Sequence, residues 1–362
     1  MTLNITLNIL RKNLVNFTIC KKKRSVKMDV IRNNKVRSII ISALKTAALL
    51  CASGTLMQTF IESLGFSSQL NYIHTTILQV ANVATIIFGS NWADKGNIIK
   101  RTAFLNLPLA ALFLLYVPFC FFKFEETGSI IPFVMLLSVG VMQMITIGLH
   151  TVCEYKLPYF IYRPEDYGIV GAISGVIGSS ISLGVSALIA ALSTRISYTK
   201  LMIFAFILSF IFVVIAAVLM SFQKSILNME EVQLSKKDSK SVPLKEVLKH
   251  PTFSRLFVAN LLRGFASGAL GVLAITAFDL GFDETVTATL VSVTSVSGFA
   301  AGIVFGTLSV YINPRVLTFC GSLTYLLLPL MLSDNKIIFL AVAGVVLFGR
   351  TIIDYAVPPA LK

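Results

Sequence analysis

Five stretches of the sequence hold polar side chains three and four residues apart inside otherwise apolar runs. They are Thr55, Gln58, Thr59 and Glu62; Asn71, Thr75, Gln79 and Asn82, with His74 beside them; Gln143, Thr146, His150 and Glu154; Asn260, Arg263 and Ser267; and Arg350 with Asp354. That spacing gathers each set on one face of a helix. Amides and hydroxyls on such a face either hydrogen-bond a polar solute or tie neighbouring helices together. Gln58, Gln79, Asn82 and Gln143 lie deep in their runs and suit contact with a ligand, and His150, Asn260, Arg263 and Arg350 are candidates for the same lining. Glu154 and Asp354 lie near the ends of their runs, where a gating or structural ion pair is favoured over solute contact. Arg350 and Asp354, four apart, can pair along their own helix. Arg263 sits about 10 Å of helical rise from the end of its run and can snorkel to the surface. Bond-making chemistry has no support: His74, His150 and His250 are far apart, and HExxH, GxSxG and GxxxxGK[ST] are absent. Cysteines 20, 51, 120, 153 and 320 lack CxxC or metal-type spacing and read as buried thiols. Neither an enzyme nor a cofactor or metal site is expected.

Faces of this kind need long apolar helices to carry them. Hydrophobic residues make up 56% of the chain and charged ones 13%, half the share of a soluble domain. With a mean hydropathy of +0.82, too little polar surface remains to clothe a water-soluble globule. The reading is an all-α polytopic membrane protein, since the runs are too long and continuous for the short alternating strands of a barrel. Runs of about 20 residues, enough to cross a bilayer as helix, fall near 38–61, 70–92, 102–122, 130–152, 168–192, 200–222, 254–279, 285–310, 316–333 and 337–357. That makes about ten spans.

The net charge of +14 sits largely before the first run, in "RKNLVNFTICKKKRSVKMDVIRNNKVR". A basic segment there marks a cytoplasmic N-terminus and attracts anionic lipid; no folded reader or basic face suggests nucleic acid. Nothing before Met28 is needed for a first span, so it is an alternative start. Loops after spans two, four, six and eight are basic, with Lys95, Lys100, Arg101, Lys156, Arg163, a Lys-rich central stretch and Arg315. Those after spans one, three and seven are acidic, with Glu62, Glu125, Glu126, Asp283 and Glu284. Both termini are then expected on the cytoplasmic side of the plasma membrane. The domains expected are a basic segment 1–37, a six-helix bundle 38–222, a cytoplasmic linker 223–253 and a four-helix bundle 254–362.

The sequence also repeats itself. "HTVCEYKLPY" at 150–159 is echoed by "RTIIDYAVPP" at 350–359, "ASG" at 52–54 by 266–268, "LGF" at 64–66 by 280–282, and "FGS" at 88–90 by "FGT" at 305–307. Spans one, two and four thus match seven, eight and ten in the same orientation, across the polar linker.

Parallel six-helix repeats of this kind resemble the major facilitator superfamily of secondary transporters. The stretch "GSNWADKGNIIKR" after span two is similar to that family's motif there: Asp94 and Lys95 fit, Gly96 comes one place early, and the basic pair is displaced to Lys100 and Arg101. Glu154, Pro158 and Arg163 resemble the acid–Pro–Arg motif some members carry at the inner end of span four. The resemblance implies a 6 + 4 pseudo-twofold bundle that carries a small solute by alternating access, with a proton or sodium ion as the candidate coupling ion and the lipid bilayer as surroundings. It implies that spans one, four, seven and ten line a central cavity. Asp94, Lys95, Arg101, Glu154, Arg163 and Asp354 would then serve gating. It also implies that the stripes Gly171, Gly175, Gly178 and Gly298, Gly302, Gly306 meet where spans five and eight touch across the halves; close packing within one half is the alternative. Members typically have twelve spans, and the eleventh usually receives the contact of Asp94. The sequence ends just after its tenth, so a non-transporting truncated fragment is the other expectation.

Overall fold

The computed structural model describes residues 28–52, 54–93, 97–122, 130–163, 166–193, 195–226, 268–308 and 311–360, with isolated positions between 249 and 258. These are helices and turns, and the described residues contain no strand. In chain order they are α1 (28–52), α2 (Gly54–Ser63), α3 (Ser68–Ala93), α4 (Ile98–Leu115), α5 (Ile131–Lys156), α6 (Pro158–Ile161), α7 (Tyr167–Ser193), α8 (Tyr198–Ser221), α9 (Leu273–Asp279), α10 (Glu284–Leu308), α11 (Pro314–Leu323) and α12 (Lys336–Ala360). Seven helical stretches among the described residues are long and apolar enough to cross a membrane, and two shorter apolar stretches lie within α7 and α10. Outward faces are apolar, as with Val80, Val83, Ile87 and Phe88 of α3, while Asn71, His74, Gln143 and His150 are buried. That inverts the arrangement of a water-soluble protein and fits a lipid surround.

Local signals set the helix ends. Asn97 Oδ1 accepts from the amides of Ile99 and Lys100 at 3.0 and 3.2 Å and starts α4; Asn335 Oδ1 does the same for Ile337 at the head of α12. Gly65 and Gly281 have φ of 84° and 75° and close α2 and α9 in the left-handed cap that glycine adopts without penalty. These are the central residues of the repeated "LGF". The following phenylalanines are buried alike: Phe66 meets Phe133 edge-on at 5.3 Å, and Phe282 meets Phe339 at 5.4 Å. The repeat read in the sequence is therefore a repeated helix stop and a repeated anchor.

Three elements differ from the expected runs. The first helix begins at 28, ten residues before the apolar run, and Asn34 is fully buried, bonded to the carbonyls of Ile161 and Lys224 at 3.1 and 2.7 Å. The first span is interrupted at Gly54, whose φ of +60° no continuous α-helix contains. Span nine is α-helical only to Leu323 and continues as 3₁₀ from Thr324 to Leu332; Pro329 lacks an amide hydrogen and clashes with the carbonyl four residues back. Most of the expected span 254–279 lies outside the described residues. Its described part turns at 271–272 before α9.

α3 packs against α5, α4 against α8, and α10 against both α12 and α7. Serine hydroxyls tie helices to backbone in both halves: Ser209 Oγ donates to Ala48 O and Ser297 Oγ to Gly344 O, each at 2.9 Å.

Candidate functional site

A cavity of about 590 Å³ lies between the first-half helices α1, α2, α3, α5 and α7 and the second-half residues 270–273, α10 and α12. Gln58, Gln79 and Gln143 line it from one side, and Arg350 and Asp354 from the other. Three residues that sequence reasoning did not single out, Thr46, Ser182 and Thr294, complete a hydroxyl- and amide-rich wall. His74 also lines it. His74 Nε2 and Ser182 Oγ are buried without a hydrogen-bond partner among the described residues, so a solute in the cavity would satisfy groups that are costly to leave bare.

The amides differ in what they already hold. Gln143 Oε1 accepts the Tyr116 hydroxyl at 2.5 Å, and its Nε2 reaches Ala52 O at 3.5 Å. It is fixed by the first half before any solute arrives. Gln58 Nε2 donates to Gly271 O across the cavity, and its own carbonyl accepts from Asn71 Nδ2 at 2.9 Å. Tyr72 OH, donating to Asp279 Oδ2 at 2.8 Å, is a second tie between the halves near the end where α2 gives way to α3. Ser186 and Ser295 share a third at 2.8 Å. Gln79 is exposed at the cavity wall.

Other candidates lie elsewhere. Asn82 does not line the cavity; its carbonyl lies where α3 crosses Gly148 of α5. His150 is absent from the wall as well, because its face of α5 turns towards α1. There Lys45 Nζ lies 2.9 Å from His150 Nδ1 and 2.7 Å from Glu154 Oε1, while His150 Nδ1 and Glu154 Oε2 are 3.4 Å apart. Lys45 and His150 are buried and Glu154 is half-exposed. Lys45 escaped the stripes because it has no polar neighbour at helical spacing towards the cavity, yet a lone cation between Arg37 and Glu62 in an apolar run was itself the signal.

In the second half Arg350 Nε and Asp354 Oδ2 are 4.0 Å apart, both about two-fifths exposed. Arg101 donates to the carbonyl of Trp92 and lies over its ring, 4.7 Å from the centroid, closing the end of α3. Arg163 is exposed beyond α6. Asp94, Lys95, Asn260 and Arg263 lie outside the described residues.

Of the glycine stripes, Gly298 and Gly302 of α10 face Ser179 and Val176 of α7, where an added Cβ would come within 3.1 Å of each. Gly178 instead faces Thr46 and Ala43 of α1, inside the first half, and Gly171 has open space. Gly175 is half-buried on the same helix. Gly306 lies on α10, its surroundings outside what is described. So α7 and α10 do meet across the halves, but as glycine against serine and valine rather than glycine against glycine.

An all-helical, multi-span protein with a polar cavity between two bundles has the build of a membrane transporter. The profile of the Major Facilitator Superfamily matches residues 36–358, and the chain belongs to that family. Among solved structures it is similar to the nucleoside transporter NupG, at 15% identity and a TM-score of 0.54, over 90% of this chain and 80% of that one. It is also similar to a bacterial homolog of the human lysosomal transporter Spinster in an inward-facing, occupied conformation, at 15% identity and a TM-score of 0.53, over 92% of this chain and 73% of that one. At these identities the likeness is one of fold. No curated protein sequence matches the chain.

Proposed function

We propose that this transporter is a secondary carrier of a small polar organic solute, working by alternating access of the cavity between the halves. Residues 38–222 and 254–362 act as the two moving bundles, joined by a cytoplasmic linker, in the plasma membrane with both termini inside. The single observation that carries this is the cavity itself. Its volume suits one small solute, its wall draws Gln58 and Gln79 from one half and Arg350 from the other, and His74 and Ser182 leave bonds for a ligand to complete. No bond-making is needed, only a site whose affinity differs between two states. The ties Gln58–Gly271 and Tyr72–Asp279 lie near the end that the loop charges assign to the outside; the conformation reads as closed there.

Cysteine labelling tests the cycle without a known solute. Cys20 and the exposed Cys320 are replaced by serine, the buried Cys51, Cys120 and Cys153 are kept, and Gln79→Cys or Thr351→Cys is added at the cavity wall. A membrane-impermeant maleimide should reach these sites from either face of the membrane, in proportions that Gly302→Leu at the α7–α10 seam changes. Labelling from one face alone, unaltered by the seam substitution, would overturn alternating access.

A further inference from the structure

The proposed cycle leaves open what drives it, and the cavity does not answer, since its charged wall residues Arg350 and Asp354 pair with each other. The cluster outside the cavity is different. Lys45, His150 and Glu154 come from two helices, lie within hydrogen-bond and ion-pair distance, and occupy a position where charge is expensive. Two neutral apolar residues would hold α1 to α5 at no electrostatic cost, so the cluster invites a role beyond packing.

We infer that Lys45, His150 and Glu154 form a proton site whose occupancy sets how α1 is held against α5; the inference rests on the alternating-access reading above. As the geometry stands, Lys45 donates to both partners, His150 Nδ1 accepts and the ring is neutral, and the three side chains sum to zero charge. A proton arriving from water adds to the carboxylate of Glu154, the member with open surface. The Nζ–carboxylate ion pair is then lost, the cluster carries one net positive charge, and Lys45 keeps only the imidazole. His150 is buried behind it and can pass the proton on between Nδ1 and the carboxylate.

No other described group competes. The charges that act on Glu154 are Lys45 and His150, and those on His150 are Lys45 and Glu154. Arg101 of α4 and Lys156 at the end of α5 bear instead on Cys153, and Lys35 pairs with Asp166 at 2.5 Å. Arg350 and Asp354 stand on the opposite half. The cluster is also placed to be heard. Thr46, next to Lys45, lines the cavity, and α1 runs from there to the Gly54 break, beyond which α2 carries Gln58 to its tie with Gly271.

The test uses protons alone as the probe. The full chain is reconstituted in proteoliposomes on a solid-supported membrane and given an acid step in sodium-free buffer with no solute. The wild-type protein should produce a transient charge displacement above that of empty liposomes. Glu154→Gln, similar in shape and unable to ionise, should abolish it. Lys45→Met should keep a transient but move the pH of its half-amplitude, which a merely structural cluster would not do. The Lys45→Met/Glu154→Gln double variant, neutral by construction, guards against misfolding: it should show no transient while Thr351→Cys labelling in it remains as in wild type. A transient that survives Glu154→Gln, one absent from the wild type, or one that appears only on a sodium step overturns the proton assignment. Failure here leaves the labelling result untouched, and a labelling failure leaves the current untouched, so the two readings fall separately.

Discussion

The two halves use one scaffold and wire it differently. In each, a glycine at positive φ stops the helix, a phenylalanine after it packs edge-on against the head of a later helix, and a serine hydroxyl pins helix to backbone at 2.9 Å. The decapeptide repeat then sets His150 opposite Arg350 and Glu154 opposite Asp354. At the offset of the "ASG" repeat, Lys45 corresponds to Ala259. The first half therefore draws its cation from a second helix and buries it, while the second carries its cation on the same helix, at 4.0 Å and facing the cavity. The lesson is a division of labour: the shared framework is architectural, and the acid at the repeated position serves whichever partner its half supplies.

Removing those two acids should break the comparison most visibly. Glu154→Leu strands a buried Lys45 and should cost about 2–3 kcal/mol, below the ~3–5 kcal/mol of a fully buried pair because Glu154 is half-exposed. Asp354→Leu should cost less than about 1 kcal/mol, as for an exposed pair. Thermal unfolding of both variants in detergent checks this; equal losses would mean the charge wiring does not differ in kind. Next come the paired stops. Gly65→Ala and Gly281→Ala each force a side chain into the left-handed region and should each cost about 1 kcal/mol. Matching shifts in unfolding temperature would sharpen the structural equivalence, and a shift in one alone would break it. The smallest effect belongs to the serine ties: Ser209→Ala and Ser297→Ala should each lose about 0.6 kcal/mol by the same measurement.

What the sequence disclosed follows the same division. Span limits, the repeat and the amide faces were legible because hydropathy and helical spacing are local. Gln58, Gln79, Gln143, Arg350 and Asp354 were picked out by spacing, and all five line the cavity. Lys45 was not, because its partners lie 105 and 109 residues away and nothing beside it in sequence announces them. His150 was read towards the cavity because it shares a stripe with Gln143. The two are seven residues apart, and over that distance the stripe drifts round the helix far enough for α1, rather than the cavity, to claim it. The "ASG" motif was visible as a repeat but not as an interruption, since glycine within an apolar run does not declare its φ. The first ten residues of α1 were read as a basic tail from their charge, although Asn34 alone among them is fully buried and bonded to two backbone carbonyls.

Trp92 is the chain's single tryptophan, and it lies beneath the Arg101 guanidinium at the junction of α3 and α4. The protein thus contains its own optical label: every photon of indole emission comes from that one junction. Any rearrangement that lifts the guanidinium off the ring changes the emission of the whole molecule, so the motion of this end of α3 can be followed in real time with no dye attached.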